Sequence, residues 1–232
     1  MFVVGVYDDL YNANFKLKFL LQIISAKVLI DQGFIITNFH GLLGLYDVPW
    51  LFGQLTTVFV FLAVVNAINF IDGIDGLAIT EVIKTLLLIM FLGAVESEIY
   101  TLNLIIIFSL LPLYYFNFKK QGKVFLGDGG SLLLGTLIMI NLLFVLGENY
   151  VLKTSFSINK TLFAVLLILY PLTDLLRIYF VRLKNKKSPF EADQNHLHHL
   201  ILNKVKIPFL AVLVLSIGFT IISGLIVTLI IY

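Results

Sequence analysis

Apolar residues run through this chain in long blocks, and most polar residues fall between the blocks. A helix needs about 20 predominantly apolar residues to cross a bilayer. Runs of that kind cover 17–36, 51–69, 77–95, 101–118, 131–147, 161–181 and 208–231. The first is the least continuous, because Lys27, Asp31 and Gln32 interrupt it. The opening residues, "MFVVGVYDD", read as the last turn or two of a further membrane helix. The expected fold is therefore all-α: a polytopic integral membrane helix bundle of about seven spans, preceded by a helix stub. Between the first two spans, "FIITNFHGLLGLYDVPW" combines β-branched residues with turn glycines and predicts a short β-hairpin on the outer side. Loops are short and no internal repeat shows, so 1–232 is read as a single membrane-embedded domain. The stub predicts a chain that is truncated at its N-terminus or whose start lies upstream.

Composition strengthens the membrane reading. Of 232 residues, 59% are hydrophobic and only 13% charged, too few charges to cover a soluble surface. Cysteine is absent, which excludes disulfides, thiolate metal sites and Cys nucleophiles. The formal net charge of +2 is less informative than its distribution. Alternation of the spans puts 1–16, 70–76, 119–130 and 182–207 on one side. That side carries Lys16, Lys119, Lys120, Lys123, Arg182, Lys184, Lys186, Lys187, Lys204 and Lys206; the other side carries Lys153 and Lys160. Positive residues stay inside, so the first set of loops is expected to be cytoplasmic.

With sidedness set by Lys and Arg alone, the remaining polar clusters share that face. They are "YDDLYNANFKLK" with Asp8, Asp9 and Lys16; "NAINFIDGIDGLA" with Asn66, Asn69, Asp72 and Asp75; "FLGDGGSLLLG" with Asp128 and Ser131; and "SPFEADQNHLHHL" with Asp193, His196, His198 and His199. Each has a plain alternative. Asp8-Asp9 could end a helix at the interface, Ser131 or Asp128 could cap a helix start, and the histidines could be solvated. The amides and acids spaced by threes would wind around half a helix rather than form a stripe, and Gly73 and Gly76 would let the backbone approach a ligand. Glycines before Ser131 would leave helix N–H groups free for phosphate. A zinc site at the "HLHH" run lacks a convincing fourth ligand, and an anion-binding loop fits its basic neighbours better. Within the spans, Asp174 with Arg177 and Glu81 with Lys84 are expected to form ion pairs, the former positioning the basic loop that follows.

Asp8, Asp9, Asp72, Asp75 and Asp128 offer hard oxygen ligands without soft partners, which suits Mg²⁺, or Mn²⁺. Basic residues and a glycine-rich turn add anion binding. Together they predict a site for a phosphorylated substrate at the bilayer surface, where the second substrate is itself a lipid.

In order and spacing, "GVYDD…KLKFLLQ", "NAINFIDGIDGLA", "FLGDGGSLLLG" and "SPFEADQNHLHHL" resemble the polyprenyl-phosphate N-acetylhexosamine-1-phosphate transferases, over nearly the whole chain. The His-x-His-His run resembles the branch that uses UDP-GlcNAc. The resemblance implies transfer of an N-acetylhexosamine 1-phosphate from a UDP-sugar to polyprenyl (undecaprenyl) phosphate with release of UMP. It further implies Mg²⁺ dependence, the bacterial inner membrane with a cytoplasmic active site, and a product that initiates cell-surface polysaccharide such as lipopolysaccharide O-antigen or teichoic acid. It also implies two further spans upstream. Partners are then the UDP-N-acetylhexosamine, the polyprenyl phosphate and the bilayer, without nucleic acid, and a homodimer is compatible. By resemblance, Asp128 would be a metal ligand, and Asp72 another. Asp8 and Asp9 would lie at the lipid-phosphate end, one acting as base or supporting the metal, with Lys16 assisting. Asn66, Asn69, Asp72 and Asp75 would hold the nucleotide, and Arg182, His196, His198 and His199 the donor's sugar phosphate. The alternatives are a catalytically impaired chain that binds a polyprenyl lipid or a partner, and a membrane transporter.

Overall fold

The computed structural model describes residues 1–94, 98–153, 158–186 and 196–231. Asp193 and Lys187 lie outside the described residues. The helices are α1 (Phe2–Tyr11), α2 (Phe15–Asp31), α3 (Trp50–Ile71), α4 (Leu77–Leu92), α5 (Glu98–Asn117), α6 (Gly127–Leu146), α7 (Lys160–Leu167), α8 (Leu169–Lys184), α9 (Leu197–Val205) and α10 (Pro208–Ile231). All seven expected spans are helical, and the chain is a multi-pass membrane helix bundle. Among the described residues, however, only Trp50–Ile71, Ile99–Asn117, Gly127–Leu146 and Pro208–Leu229 are long and apolar enough to cross a bilayer on their own. At 1.5 Å per residue, α2 and α4 reach only about 25 Å. Lys18, Lys27 and Asp31 make α2 polar as well as short.

The span expected over 161–181 is two helices, α7 and α8, bent by 73° at Ile168. Pro171 explains the break. It has no N–H to donate to the Leu167 carbonyl four residues back, and its ring would collide with that carbonyl. The released Leu167 oxygen instead accepts from Thr85 Oγ1 of α4 at 3.1 Å. The bend redirects α8, whose buried face carries Asp174 and Arg182.

The hairpin forms as expected: β1 (Asn38–Leu42) pairs antiparallel with β2 (Leu45–Asp47). Leu43 and Gly44 both have positive φ, the signature of a two-residue type I′ turn. At the centre of the bundle, α3 packs on α6, α8 and α2, while α1 packs on α6. The core contains Phe61, Ile68, Leu86, Ile138 and Met139, all fully buried. The two intramembrane pairs also form: Lys84 bonds Glu81, and Arg177 Nη2 lies 3.2 Å from Asp174 Oδ1.

The contact of α1 with α6 depends on one residue. A Cβ on Gly5 would sit 2.2 Å from the Asp128 carbonyl oxygen and 2.5 Å from Gly129 Cα. Only glycine lets these two backbones come so close, and that approach delivers the end of α1 to the start of α6.

Candidate active site

Asp8 and Asp9 lie near the C-terminus of α1, and their roles diverge. Asp9 Oδ1 and Oδ2 accept the backbone N–H groups of Asp128 and Gly129, each at 2.9 Å. The start of α6 is therefore capped by a carboxylate from another helix rather than by Ser131 or Asp128, and these two N–H groups are not free for phosphate. An anion at a helix N-terminus meets unpaired donors and the positive end of the helix dipole.

So held, Asp128 projects its carboxylate into a charged junction. Its Oδ2 accepts from Lys18 Nζ at 2.8 Å and its Oδ1 from Asn69 Nδ2 at 2.8 Å. Lys18 bonds Asp8 as well, so one ammonium stands between two carboxylates. Asn69 also donates to Ser131 Oγ at 2.8 Å. Asp72 follows the last residue of α3. Among the described residues its carboxylate has no ion-pair or hydrogen-bond partner. Burial, then the charges of Asp128, Asp9 and Asp75, push its pKa up to about 8. That is the mark of a buried carboxylate with further negative charges around it.

Other expected site residues are spent on structure. Asn66 exchanges hydrogen bonds with the buried Gln22 of α2, at 2.8 and 3.3 Å. Asp75 pairs with Lys123 at 2.5 Å. The Lys16 side chain is exposed, and its backbone N–H donates to Asn14 Oδ1 at 3.0 Å.

On the other flank, the Asp174 carboxylate collects three partners. Oδ2 lies 2.9 Å from His196 Nδ1, while Oδ1 accepts from the Leu197 N–H at 2.8 Å and from Arg177 Nη2 at 3.2 Å. His198 is fully buried; its Nδ1 lies 3.5 Å from the Tyr170 hydroxyl, and its Nε2 has no partner among the described residues. Burial, reinforced by the charge of His199, pushes its pKa down to about 3, so the ring is neutral. The His199 ring lies 4.3 Å from that of His198, and buried Arg182 stacks on Phe70 at 5.9 Å.

The two flanks meet at the end of α3. His198 Nε2 rests against Gly73, where a Cβ would lie 2.2 Å away, and Gly73 adjoins Asp72. Asp8, Asp9, Asp72, Asp128 and the histidines thus gather at one end of the bundle. Asn66 is tied to Gln22, Asp75 borders the junction but is paired with Lys123, and the Lys16 side chain is exposed. Lys18 and Asp174 enter it without having been expected there, and Gln22 is the unexpected partner of Asn66. A faint signal for Lys18 and Gln22 exists in the sequence: Lys18, Gln22, Ala26 and Ile30 recur every four residues, and the last three are the buried face of α2.

A multi-pass helical membrane protein with a carboxylate–lysine junction at one end of its bundle, flanked by histidines, is the class these features define. The profile of Glycosyl transferase family 4 matches residues 1–146, and the chain belongs to that family. Among similar proteins is one of Bacillus subtilis (strain 168) named probable undecaprenyl-phosphate N-acetylglucosaminyl 1-phosphate transferase, 32% identical over 204 residues. These residues cover 86% of this chain and 55% of that protein. The undecaprenyl-phosphate alpha-N-acetylglucosaminyl 1-phosphate transferases of Salmonella typhi and Escherichia coli (strain K12) are 32% and 30% identical, each covered to 54% by 86% of this chain. The chain spans about half the length of the curated relatives it matches.

Proposed function

We propose that this site transfers an N-acetylhexosamine 1-phosphate, GlcNAc 1-phosphate by the names of the relatives, from a UDP-sugar to polyprenyl phosphate. UMP leaves, and the lipid-diphosphate sugar would initiate a surface polysaccharide. The observation that carries the reading is the junction itself: Asp8 and Asp128 joined through Lys18, Asp72 within the field of Asp128 and Asp9, and His198 seated on Gly73 beside Asp72.

The residues fit a hard divalent cation. Asp72 has no ion-pair or hydrogen-bond partner among the described residues and is buried with the charges of Asp128, Asp9 and Asp75 nearby, a cost that a cation would relieve. Asp72 and Asp128 would hold Mg²⁺ or Mn²⁺, which typically takes one or two carboxylates plus substrate phosphates. When bound, the ion supplies charge neutralisation that lets two phosphates approach each other. Lys18 adds a fixed positive charge at the same point and needs no reorganisation during the reaction. Asp9 keeps Asp128 in place, and His196, His198 and Arg182 would hold the donor's sugar phosphate.

An oxygen of the lipid phosphate forms a bond to the β-phosphorus of the donor, while the bond from that phosphorus to the bridging oxygen breaks. The electron pair departs with UMP. A phosphate monoester has a second pKa of about 6 and is already largely a dianion at neutral pH, so no strong base is required. One phosphoanhydride replaces another, which makes the step reversible. The basic residues that span alternation assigns to the same side as the acidic motifs, Lys119, Lys120, Lys123, Lys184, Lys204 and Lys206, support a site on the cytoplasmic face of the inner membrane.

The test is release of UMP from UDP-GlcNAc by the purified protein with undecaprenyl phosphate and Mg²⁺. Release that needs both additions is expected, and its absence would overturn the reading. Direct attack is tested separately: labelled UMP entering UDP-GlcNAc without lipid acceptor would require a covalent enzyme intermediate instead.

A further inference from the structure

Asp174 lies on α8, far in sequence from the acidic motifs, and is 1% exposed. A buried carboxylate is costly unless its charge is paired and its lone pairs are used. Here both oxygens are used, and the division is orderly. Oδ1 faces Arg177 and the first N–H of α9, while Oδ2 faces His196 Nδ1 at 2.9 Å and His198 Nδ1 at 3.8 Å. The carboxylate therefore does for α9 what Asp9 does for α6. It caps the N-terminus of the helix that carries the histidines, from a different element of the fold.

The contact with His196 has a chemical consequence. A carboxylate can only accept, so His196 must carry its proton on Nδ1. The other ring nitrogen, Nε2, is then the one left to meet a substrate. Asp174, His196 and His198 place ligand-type atoms within 4.8 Å of one another, as a metal site would. The hydrogen bonds and the Arg177 pair already satisfy Asp174, so a cation would have to displace both a proton and a favourable ion pair. Hydrogen bonding accounts for the cluster without one.

We propose that Asp174 is the positioning residue of the donor-binding histidine loop. It seats α9 through the Leu197 N–H and turns His196 so that Nε2 faces the donor's sugar phosphate. This rests on the transferase reading above. Asp174 acts through His196 and touches no reacting atom, so its removal weakens donor binding more than turnover and leaves the lipid acceptor unaffected. Arg177 acts one step further back, by neutralising Asp174.

The experiment is steady-state UMP release by wild type, Asp174→Asn, Asp174→Glu, His196→Gln and the double variant D174N/H196Q, varying UDP-GlcNAc and undecaprenyl phosphate separately. Asp174→Asn is expected to raise the donor KM about tenfold, the worth of one charge-assisted hydrogen bond. The acceptor KM should stay within about twofold, the level of a remote polar change. Asp174→Glu, which keeps the charge, should recover part of the loss. In the His196→Gln background, Asp174→Asn should add little, because the two side chains work as one unit. Should Asp174→Asn fail to fold, Asp174→Glu carries the test, with a donor KM raised several-fold and an unchanged acceptor KM. An unchanged donor KM, a parallel rise for both substrates, or full additivity in the double variant overturns the proposal while wild type remains active. No UMP from wild type overturns the transferase reading and this proposal with it.

Discussion

Asp9 accepts the backbone N–H groups of both Asp128 and Gly129 at 2.9 Å, across more than a hundred residues of chain. A pair of adjacent carboxylates at a helix end invites the idea of a catalytic base. The geometry gives Asp9 another task, fixing the helix start from which Asp128 projects. Losing such a cap costs roughly 0.5–2 kcal/mol. Asp9→Ala is therefore expected to lower thermal stability and UMP release together, with Asp9→Asn, which keeps one acceptor, in between. A variant that keeps its unfolding temperature but loses all turnover would restore the base.

Lys18, and not its neighbour Lys16, meets the acidic residues. Its ammonium bonds both Asp8 and Asp128, whereas the side chain of Lys16 is exposed. Lys18→Met should reduce UMP release about 100-fold, the usual effect of deleting a fixed charge-stabilising donor. Lys16→Met should change it by no more than about twofold, as for other exposed charges. Equal losses at the two positions would contradict the placement.

Gly5 sets the distance between α1 and α6. An alanine Cβ there would lie 2.2 Å from a backbone oxygen, which cannot swing aside as a side chain can. Gly5→Ala should destabilise the protein by about 1–3 kcal/mol or more and should lower Mg²⁺ affinity by displacing Asp128. Unfolding followed with and without Mg²⁺ measures both.

Asp72 would make Mg²⁺ binding at the proposed site depend on pH. Its folded pKa of about 8 lies above the ordinary value of 3.8, so the folded state holds the proton more tightly than the unfolded state does. Without metal, the stability this contributes is complete below pH about 4 and is lost as pH rises through about 8. A cation must displace that proton, so Mg²⁺ should raise the unfolding temperature more at pH 8.5 than at pH 6, by the linkage of ligand binding to folding. EDTA should abolish the difference, and Asp72→Asn should flatten it.

His198 titrates in the opposite sense. Its folded pKa, about 3, lies below the ordinary 6.5, so the unfolded state takes up the proton first. The stability this contributes is present above pH 6.5 and is lost as pH falls from there towards 3. Unfolding temperatures between pH 4 and 7 should fall less steeply in His198→Gln than in wild type. Identical slopes would contradict a buried neutral ring.

Local pattern alone carried much of the architecture. Apolar runs mark every segment that became a long helix, β-branched residues and turn glycines mark the hairpin, and i,i+3 spacing marks the pairs of Asp174 with Arg177 and Glu81 with Lys84. These features follow from backbone periodicity within a few residues, which a sequence displays directly. The break at Ile168 was also written there, in Pro171, but apolarity on both sides concealed it.

What only the tertiary structure decided is how separate elements touch. That Lys18 rather than Lys16 meets Asp8 and Asp128 depends on the rotation of α2 against α3. That Asp9 caps α6, Asn66 turns to Gln22 and Asp174 holds His196 depends on helices brought together from distant parts of the chain. Polar side chains in a bundle must find partners wherever packing puts them, and burial makes each unmet donor or acceptor costly. The sequence by itself determined which residues would need partners; close packing, of backbone on backbone at Gly5 and of the His198 ring on Gly73, determined which partners they found.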